Sequence, residues 1–289
     1  TLGSAGIPLV VVSGSSRKSL KVAGSLLRFF NLPLPRLRFL IATESDRAGL
    51  NALFPQAIVH HTGEPRWDRV IERMQRSSVV GRIAFDQKQS PCGVIGSAWE
   101  DDIQTVLPGW LRAGSGSLYV FPHQCDRVHA ERLKGVLKNV IVRSGYDHRV
   151  DLRTWETNQH PPRLANDRRQ IVFVPQKGFL TEFYGHADWV FVGGGFGAGI
   201  HSTIEPALSG KPIAAGPVGA DKFSEVLVLM HSGQLTFCND SGDFERWLGK
   251  LEFADASPVP SPWKSAVDAQ LGAAQKILLE LNSVVDFKR

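Results

Sequence analysis

The stretch Ala187–Pro217, A-D-W-V-F-V-G-G-G-F-G-A-G-I-H-S-T-I-E-P-A-L-S-G-K-P-I-A-A-G-P, decides the fold of this chain. It predicts a buried strand, a glycine-rich turn, a short helix that opens at His201–Glu205, and a second strand. Backbone amides and a helix N-terminus face a ligand at such a turn and favour an anion. The glycines equally fit a tight turn without a ligand, because they match neither the dinucleotide fingerprint in good register nor a P-loop.

Composition describes a globular chain with a hydrophobic core, since 43% of the 289 residues are hydrophobic and 21% are charged. The formal net charge of +5 is modest for this length, so no nucleic-acid partner is expected. The cysteines, Cys92, Cys125 and Cys238, are far apart and form no C-x-x-C pair. They therefore indicate neither a zinc site nor a disulfide framework. No apolar run approaches the roughly 20 residues that a membrane-spanning helix needs.

Strands and helices alternate along the chain, which predicts an α/β fold with two Rossmann-like parallel-sheet domains. Strands are predicted at Ile7–Ser13, Phe39–Thr43, Ala57–His61, Gly93–Ser97, Leu118–Pro122, Val140–Arg143, Ile171–Val174, Trp189–Gly193, Pro212–Ala215 and Leu235–Phe237. Helices are predicted at Leu20–Phe30, from Glu44, and at Pro65–Gln75, Glu100–Leu111, Arg127–Leu137, Phe179–His186, Thr203–Leu208, Lys222–His231, Phe244–Leu251 and Ser265–Asn282. The polar stretch Asp151–Arg169 is predicted to be a surface insertion.

The predicted domains are an incomplete N-terminal one over residues 1–82, a second one over 83–262, and a terminal helix within 263–289. We consider that this helix packs back on the first domain. Three strands precede the linker at Arg76–Ser90 and the chain opens on Thr1, so we expect the biological protein to begin earlier. Leu26–Leu40 mixes apolar residues with arginines, which fits either a membrane–lipid interface or a core helix followed by a proline-broken connection.

Four polar or glycine-rich segments directly follow apolar strands in the second part of the chain. They are Gly96–Glu100, Phe121–Arg127, Val174–Leu180 and Gly193–Pro206. Because ligands collect at the carboxyl ends of parallel strands, these segments could line one cleft.

Basic residues in these segments could contact a phosphate. His123 and Arg127 could place a donor and a cation near it, or they could be surface residues at the start of a helix. Lys177 and Gly178 precede a helix whose free amides could meet a base or a phosphate, or could be ordinary helix-start chemistry.

The segment S-T-I-E has the spacing of a capping box, with Ser202 as the cap and Glu205 reaching back. Glu205 could instead accept two hydrogen bonds from a ribose diol, and both roles can hold at once. No Ser/His/Asp order, paired carboxylates or metal-ligand spacing stands out. His60 and His61 are adjacent on a strand and face opposite ways, so no metal and no cofactor are predicted.

Four motifs carry a family resemblance and keep the family's order. They are V-G-G-G-F-G-A-G-I-H-S-T-I-E-P-A-L-S-G-K-P-I-A-A-G-P (Val192–Pro217), T-G-E-P-R-W-D (Thr62–Asp68), P-H-Q-C-D-R (Pro122–Arg127) and K-G-F-L-T-E-F-Y-G-H-A-D (Lys177–Asp188). Together they resemble the Kdo transferases, GT-B glycosyltransferases that move 3-deoxy-D-manno-octulosonic acid (Kdo) from CMP-Kdo to a lipid A precursor.

The chain departs from the family's pattern at several motif positions. Ser202 and Thr203 stand where the family has Asn-Pro, and His123 and Gln124 stand where it has Arg-His. Glu64 replaces the asparagine of the T-G-N motif. The family's catalytic base, a glutamate in a glycine-containing loop, has no counterpart here and is expected upstream of Thr1.

The resemblance implies a GT-B fold and inverting, metal-independent transfer from a CMP-sugar to a lipid A-type glycolipid. It also implies a peripheral location at the cytoplasmic face of the inner membrane, with the membrane surface as a further partner. The implied donor-binding residues are His123, Arg127, Lys177, Gly178, Gly194, Gly195, His201, Ser202, Thr203 and Glu205.

The resemblance also suggests roles for these residues. Glu205 would hold the ribose, Ser202 and nearby amides the phosphate, His123 and Arg127 the donor's charge, and the Gly178 amide the base. The alternatives are a GT-B enzyme with another nucleotide-sugar donor, such as a UDP-sugar, and a non-catalytic relative that binds a sugar nucleotide or a glycolipid.

Overall fold

The structure is a computed structural model that describes residues 7–15, 36–76, 91–113, 116–155, 169–251 and 263–285. The chain divides into two compact units, one of Thr1–Glu72 with Asp268–Arg289 and one of Arg73–Val267. Each unit contains a sheet in which all paired strands are parallel. The predicted α/β class with two parallel sheets is therefore confirmed.

The strands and helices below are those of the described residues. The strands are β1 (Leu9–Gly14), β2 (Leu37–Ile41), β3 (Ile58–His61), β4 (Cys92–Ala98), β5 (Ser117–Pro122), β6 (Val150–Thr154), β7 (Arg169–Phe173), β8 (Trp189–Val192), β9 (Ile213–Ala215) and β10 (Leu235–Phe237). The helices are α1 (Asp46–Leu53), α2 (Arg66–Arg76), α3 (Glu100–Ala113), α4 (Arg127–Arg143), α5 (Leu180–His186), α6 (Ile204–Leu208), α7 (Ser224–His231), α8 (Ser241–Gly249), α9 (Lys264–Asp268) and α10 (Ala273–Val285), with a 3₁₀ turn at Ala220–Lys222.

The first unit is built on the three-stranded sheet β1-β2-β3. Its core is a small cluster in which Phe39 of β2 packs among residues of α1 and β3. The fully or nearly buried members are Phe39, Ile41, Leu50, Phe54 and Val59. The predicted helix Leu20–Phe30 and most of the arginine-containing segment Leu26–Leu40 lie outside the described residues, as does nearly all of the predicted linker Arg76–Ser90.

The second unit is built on a seven-stranded sheet in the order β10-β9-β8-β4-β5-β7-β6. The chain runs from β4 to β5 on one side, whereas β8 leads to β9 on the other side, so the strand order reverses between β4 and β8. β4 is buried at six of its seven positions and β8 at all four, which is typical of central strands covered by helices on both faces. The core holds large aromatic side chains, including Trp110, Trp189, Phe191 and Phe244.

The predicted strand Val140–Arg143 is wrong, because these residues form the last turn of α4. The buried residues of this helix recur at helical spacing and carry the pattern as far as Ile141, while Val142 stays exposed. The β-branched run V-I-V is thus overridden by the periodicity of the longer segment. Every other predicted strand overlaps an observed one.

Two further predictions about this part of the chain need correction. β6 (Val150–Thr154) lies at the start of the stretch predicted to be a surface insertion, and it pairs in parallel with β7 as an edge strand. The predicted terminal helix Ser265–Asn282 is two helices, α9 and α10. The turn of residues 269–272 separates them, and Gly272, with a φ of 83°, immediately precedes α10.

Candidate functional site

The site lies at the carboxyl ends of β4, β5 and β8, where the strand order of the second sheet reverses. Crevices that take ligands form at such a switch point, because the connecting loops diverge there. The turns after these strands carry Trp99, His123 and the glycine loop Gly193–His201. We call these three turns, with the residues they carry, the switch-point site.

A buried carboxylate ties two of these turns together. Asp102 is fully buried in the first turn of α3. Its Oδ2 accepts hydrogen bonds from the backbone amides of Trp99 at 2.9 Å and Gly194 at 2.7 Å. Burial raises the pKa of the Asp102 carboxyl to about 6, although these amide bonds oppose the shift. Asp102 therefore holds the turn after β4 against the turn after β8.

The glycine loop allows very close backbone contact. A Cβ atom on Gly195 would lie 2.2 Å from the carbonyl oxygen of Gly216, and one on Gly216 would lie 2.4 Å from the carbonyl oxygen of Gly195. Gly194 adopts a φ of 91°, a conformation that side chains disfavour. The spacing of these glycines thus follows from packing of one turn against the next.

Five backbone amides of this loop donate hydrogen bonds to acceptors within the protein. Gly194 donates to Asp102, and Gly197 and Gly199 both donate to the carbonyl of Gly194. Ile200 donates to the carbonyl of Val218, and His201 to that of Gly193. These five amides are therefore engaged within the protein, which favours the tight-turn interpretation at their positions.

Three aromatic rings from three different turns meet beside the loop. The rings of Trp99 and His123 stack with centroids 4.6 Å apart, and those of His123 and His201 stack at 4.2 Å. The indole Nε1 of Trp99 donates to Nε2 of His201 at 3.0 Å. This bond places the proton of the neutral His201 imidazole on Nδ1.

The pKa values of both imidazoles of this stack are lowered, which favours their neutral forms. Burial, followed by the charge of His123, lowers the pKa of His201 to about 4. Burial, followed by the positive charge of Lys177, also lowers the pKa of His123. The role of His123 in supplying positive charge to a donor stays a prediction. Lys177 lies near His123, and Arg132 lines the same pocket as His123.

The remaining predicted site residues are placed as follows. Lys177 and Gly178 are exposed in the turn before α5, and Gly178 has a φ of 96°. Arg127 is exposed at the first position of α4, and Ser202 is exposed after the glycine loop. The structure thus brings His123, His201 and the glycines together with Lys177 near His123, whereas no described contact joins Arg127 to the stack.

The predicted capping box at Ser202 and Glu205 is wrong. The residue at the cap of α6 is Thr203, and its side chain makes no capping hydrogen bond. Thr203 is fully buried, and its Oγ1 has no hydrogen-bond partner among the described residues. The Glu205 carboxylate lies 3.7 Å from the guanidinium of Arg73, and both residues belong to the second unit.

Sequence reasoning missed the roles of Trp99 and Asp102. The segment Gly96–Glu100 was recognised as polar and strand-terminal, which pointed to the correct turn. Asp102 lies among three consecutive acidic residues, Glu100–Asp102, at the start of α3, where acidic residues are common for reasons of the helix dipole. The i+3 spacing from Trp99 is compatible with the bond from the Trp99 amide, but no pattern of the sequence indicates that Asp102 is buried.

Within the described ranges, no group of three or more His, Cys, Asp or Glu side chains could hold a metal ion. Cys92 and Cys238 are buried, and no disulfide joins the three cysteines. No helix of the described part of the chain is both long and apolar enough to cross a membrane.

Comparison with known proteins finds no matching family model and no matching curated protein. Solved structures are similar in fold at low identity. The C-terminal CMP-Kdo binding domain of WaaA from Acinetobacter baumannii is 16% identical, with a TM-score of 0.46 over 73% of this chain and 97% of that one. HepE from Anabaena, in complex with UDP and glucose, is 14% identical, with a TM-score of 0.42 over 96% of this chain and 72% of that one.

A further similar structure is a glycosyltransferase from Rickettsia africae. It is 10% identical, with a TM-score of 0.46 over 96% of this chain and 70% of that one.

Proposed function

We propose that this chain is a glycosyltransferase whose second unit binds a nucleotide-sugar donor at the switch-point site. The observation that carries the proposal is the convergence of Trp99, His123 and His201 from three turns at that edge of the sheet. Ring faces and imidazole hydrogen-bonding groups suit a ligand with a planar base and a polar sugar. The four motifs that resemble the Kdo transferases include two of the three turns.

The roles of individual residues follow their environments. Lys177 would meet the charge of the donor, because it is exposed and lies near His123. The neutral imidazoles of His123 and His201 would act through stacking and hydrogen bonds. Ser202 with the following amides would meet a phosphate, and Gly178 would present its amide to the base. Gly194 and Gly195 would shape the turn, Thr203 would offer its hydroxyl, and Glu205 would hold the ribose in competition with Arg73.

We further propose that the donor is a CMP-sugar, CMP-Kdo by resemblance, and that the acceptor is a lipid A-type glycolipid. The transfer would be inverting and metal-independent within a GT-B fold, at the cytoplasmic face of the inner membrane. Residues 83–262 would form the donor domain and 1–82 part of the acceptor domain. The contacts of Glu280 with Arg38 and His60 support the return of segment 263–289 to the acceptor domain.

A thermal-shift panel of CMP, UDP and GDP tests the donor site. A ligand that binds only the folded state raises the melting temperature by mass action, about 2.7 kcal/mol of stabilisation at 100 times its Kd. We expect CMP to give the largest shift and Lys177→Ala to reduce it, while Lys138→Ala, an exposed lysine on α4, leaves it unchanged. A larger shift with UDP would favour another donor, and no shift with any nucleotide would overturn the donor site.

An activity assay tests the reaction itself. CMP release from CMP-Kdo that requires a lipid A precursor would support the enzyme. Nucleotide binding without turnover by the full-length protein would favour a non-catalytic relative. Flotation of that protein with lipid vesicles tests the peripheral location.

A further inference from the structure

A cavity lies entirely within the first unit, where β3 ends beside α10. Its volume is about 350 Å³, within the range of small-molecule sites. Its lining residues are Arg47, His60, His61, Thr62, Lys276, Leu279 and Glu280. We call this cavity the first-unit groove, and it is independent of the switch-point site.

Thr62 lines this groove and carries a polar atom without a described partner. The residue is only 3% exposed, and its Oγ1 has no hydrogen-bond partner within the described part of the chain. A buried hydroxyl without a partner destabilises the folded state, because it has lost its hydrogen bonds to water. A ligand that bonds to Thr62 would recover them.

The charges of the groove are mostly paired, with one additional cation. The Glu280 carboxylate contacts Arg38 Nη1 and His60 Nδ1, each at 2.7 Å. Arg47 contacts Glu44 and donates to the carbonyl of Val59 at 2.5 Å. Lys276 adds an exposed ammonium on α10. The lining therefore combines acceptors for hydroxyl groups with a positive charge for an anion.

The groove also has an apolar side. Leu279 is 65% exposed, so its side chain borders the groove while open to solvent. A sugar ring matches this combination, because its hydroxyl groups need polar partners while its C–H face packs on an aliphatic side chain.

We propose that the first-unit groove binds a monosaccharide that carries one anionic group. The anion lies at Lys276, the ring hydroxyls bond to Thr62, His61 and Glu280, and the ring face packs on Leu279. The anionic group is a phosphate or a carboxylate, two sources of the same charge.

Isothermal titration calorimetry of the full chain tests this proposal with four probes: glucose 6-phosphate, glucuronate, glucose and inorganic phosphate. We expect at least one anionic sugar to bind at least tenfold more tightly than glucose and than inorganic phosphate. Binding of glucose 6-phosphate would identify the anionic group as a phosphate, and binding of glucuronate would identify it as a carboxylate. The proposal is overturned if neither anionic sugar binds. It is also overturned if glucose or inorganic phosphate binds with the same affinity as the anionic sugars.

Two variants locate the binding in the groove. Lys276→Ala should weaken the anionic sugar about tenfold, whereas Lys138→Ala, the matched exposed lysine of the second unit, should not change it. Thr62→Val removes the hydroxyl at nearly constant volume, so it should weaken binding severalfold without lowering the melting temperature. Unchanged binding in both variants would overturn the assignment. The nucleotide thermal shift should persist in both, so failure here is distinguishable from failure of the donor site.

Discussion

The two candidate binding regions of this protein are built in opposite ways. The switch-point site stands on central strands, and the buried carboxylate of Asp102 and close backbone contacts hold its turns. The first-unit groove stands on β3, which is buried at one of four positions, and paired charged side chains line it. The switch-point site therefore depends on backbone geometry, whereas the first-unit groove depends mostly on side chains that are partly exposed to water.

This difference predicts where each region is sensitive to substitution. Changes in the switch-point site should alter stability strongly, because a rigid interior cannot relax around a new atom. Changes in the groove should alter stability less, because exposed ion pairs contribute little. The predictions below test that contrast.

The largest expected effect is that of Gly195→Ala. The added Cβ would lie 2.2 Å from the backbone oxygen of Gly216, which cannot move away as a side-chain end can. We expect the free energy of unfolding in urea to fall by about 4 kcal/mol. As a control, the Cβ of Gly135→Ala in α4 meets nothing within 4 Å and should raise stability by roughly 0.5–1 kcal/mol. Equal effects of the two substitutions would refute the packing argument.

Asp102→Asn should change how stability depends on pH. The folded pKa of Asp102 is raised to about 6, and the ordinary carboxyl value is about 3.9. Between these values the folded state keeps a proton that the unfolded state has lost. The contribution of this group is therefore complete below about pH 4 and is lost as pH rises through about 6.

Asparagine cannot titrate, so the stability of wild type minus that of Asp102→Asn should fall by about 2 kcal/mol from pH 4 to pH 7. Denaturant unfolding at several pH values measures this difference, in which the other titrating groups cancel. Parallel curves for the two proteins would contradict the raised pKa.

Asp68→Ala should loosen α10 in the first unit. The Asp68 carboxylate accepts from the amides of Gly272 at 2.6 Å and Ala274 at 2.7 Å, and so caps a helix distant in sequence. We expect a loss of about 2 kcal/mol. Hydrogen exchange of α10 peptides should accelerate roughly 30-fold, since 1.4 kcal/mol is tenfold.

The matched control for Asp68→Ala is Asp240→Ala, which removes a local cap of α8 in the second unit. It should leave exchange in α10 unchanged. If exchange in α10 accelerated equally in both variants, the cap by Asp68 would not be specific.

The smallest expected effect is that of Trp99→Phe on His201. The indole N–H bonds to Nε2 only while the imidazole is neutral, so its loss should raise the pKa of His201 by about 0.5–1 unit. NMR titration of the His201 ring protons measures the shift. An unchanged or lower pKa would show that this hydrogen bond does not favour the neutral imidazole.

The strand positions of the second sheet could be predicted well from the sequence, because Trp189–Val192 and similar runs are apolar throughout. It failed at Val140–Arg143, where a local β-branched run competes with a helical pattern that began at Arg127. Periodicity over seventeen residues outweighs the preference of three.

The candidate sites were harder to predict, because they depend on contacts between distant residues. The turn after β8 is visible in its glycines, but the hydrogen bond of the Gly194 amide depends on Asp102, which lies 92 positions earlier. The first-unit groove depends on Glu280 reaching His60 across 220 positions. No local pattern of residues encodes either contact.

The cap of α10 by Asp68 has a consequence for synthesis on the ribosome. The two partners of the bond from Gly272 are 204 positions apart. At about 5–20 residues per second, roughly 10–40 seconds of translation separate them. During that interval β2 and β3 are already made, but Arg38, His60 and Asp68 have no helix to contact. The second unit is synthesised within this same interval, so the first unit acquires its last helix only after the intervening unit has been made.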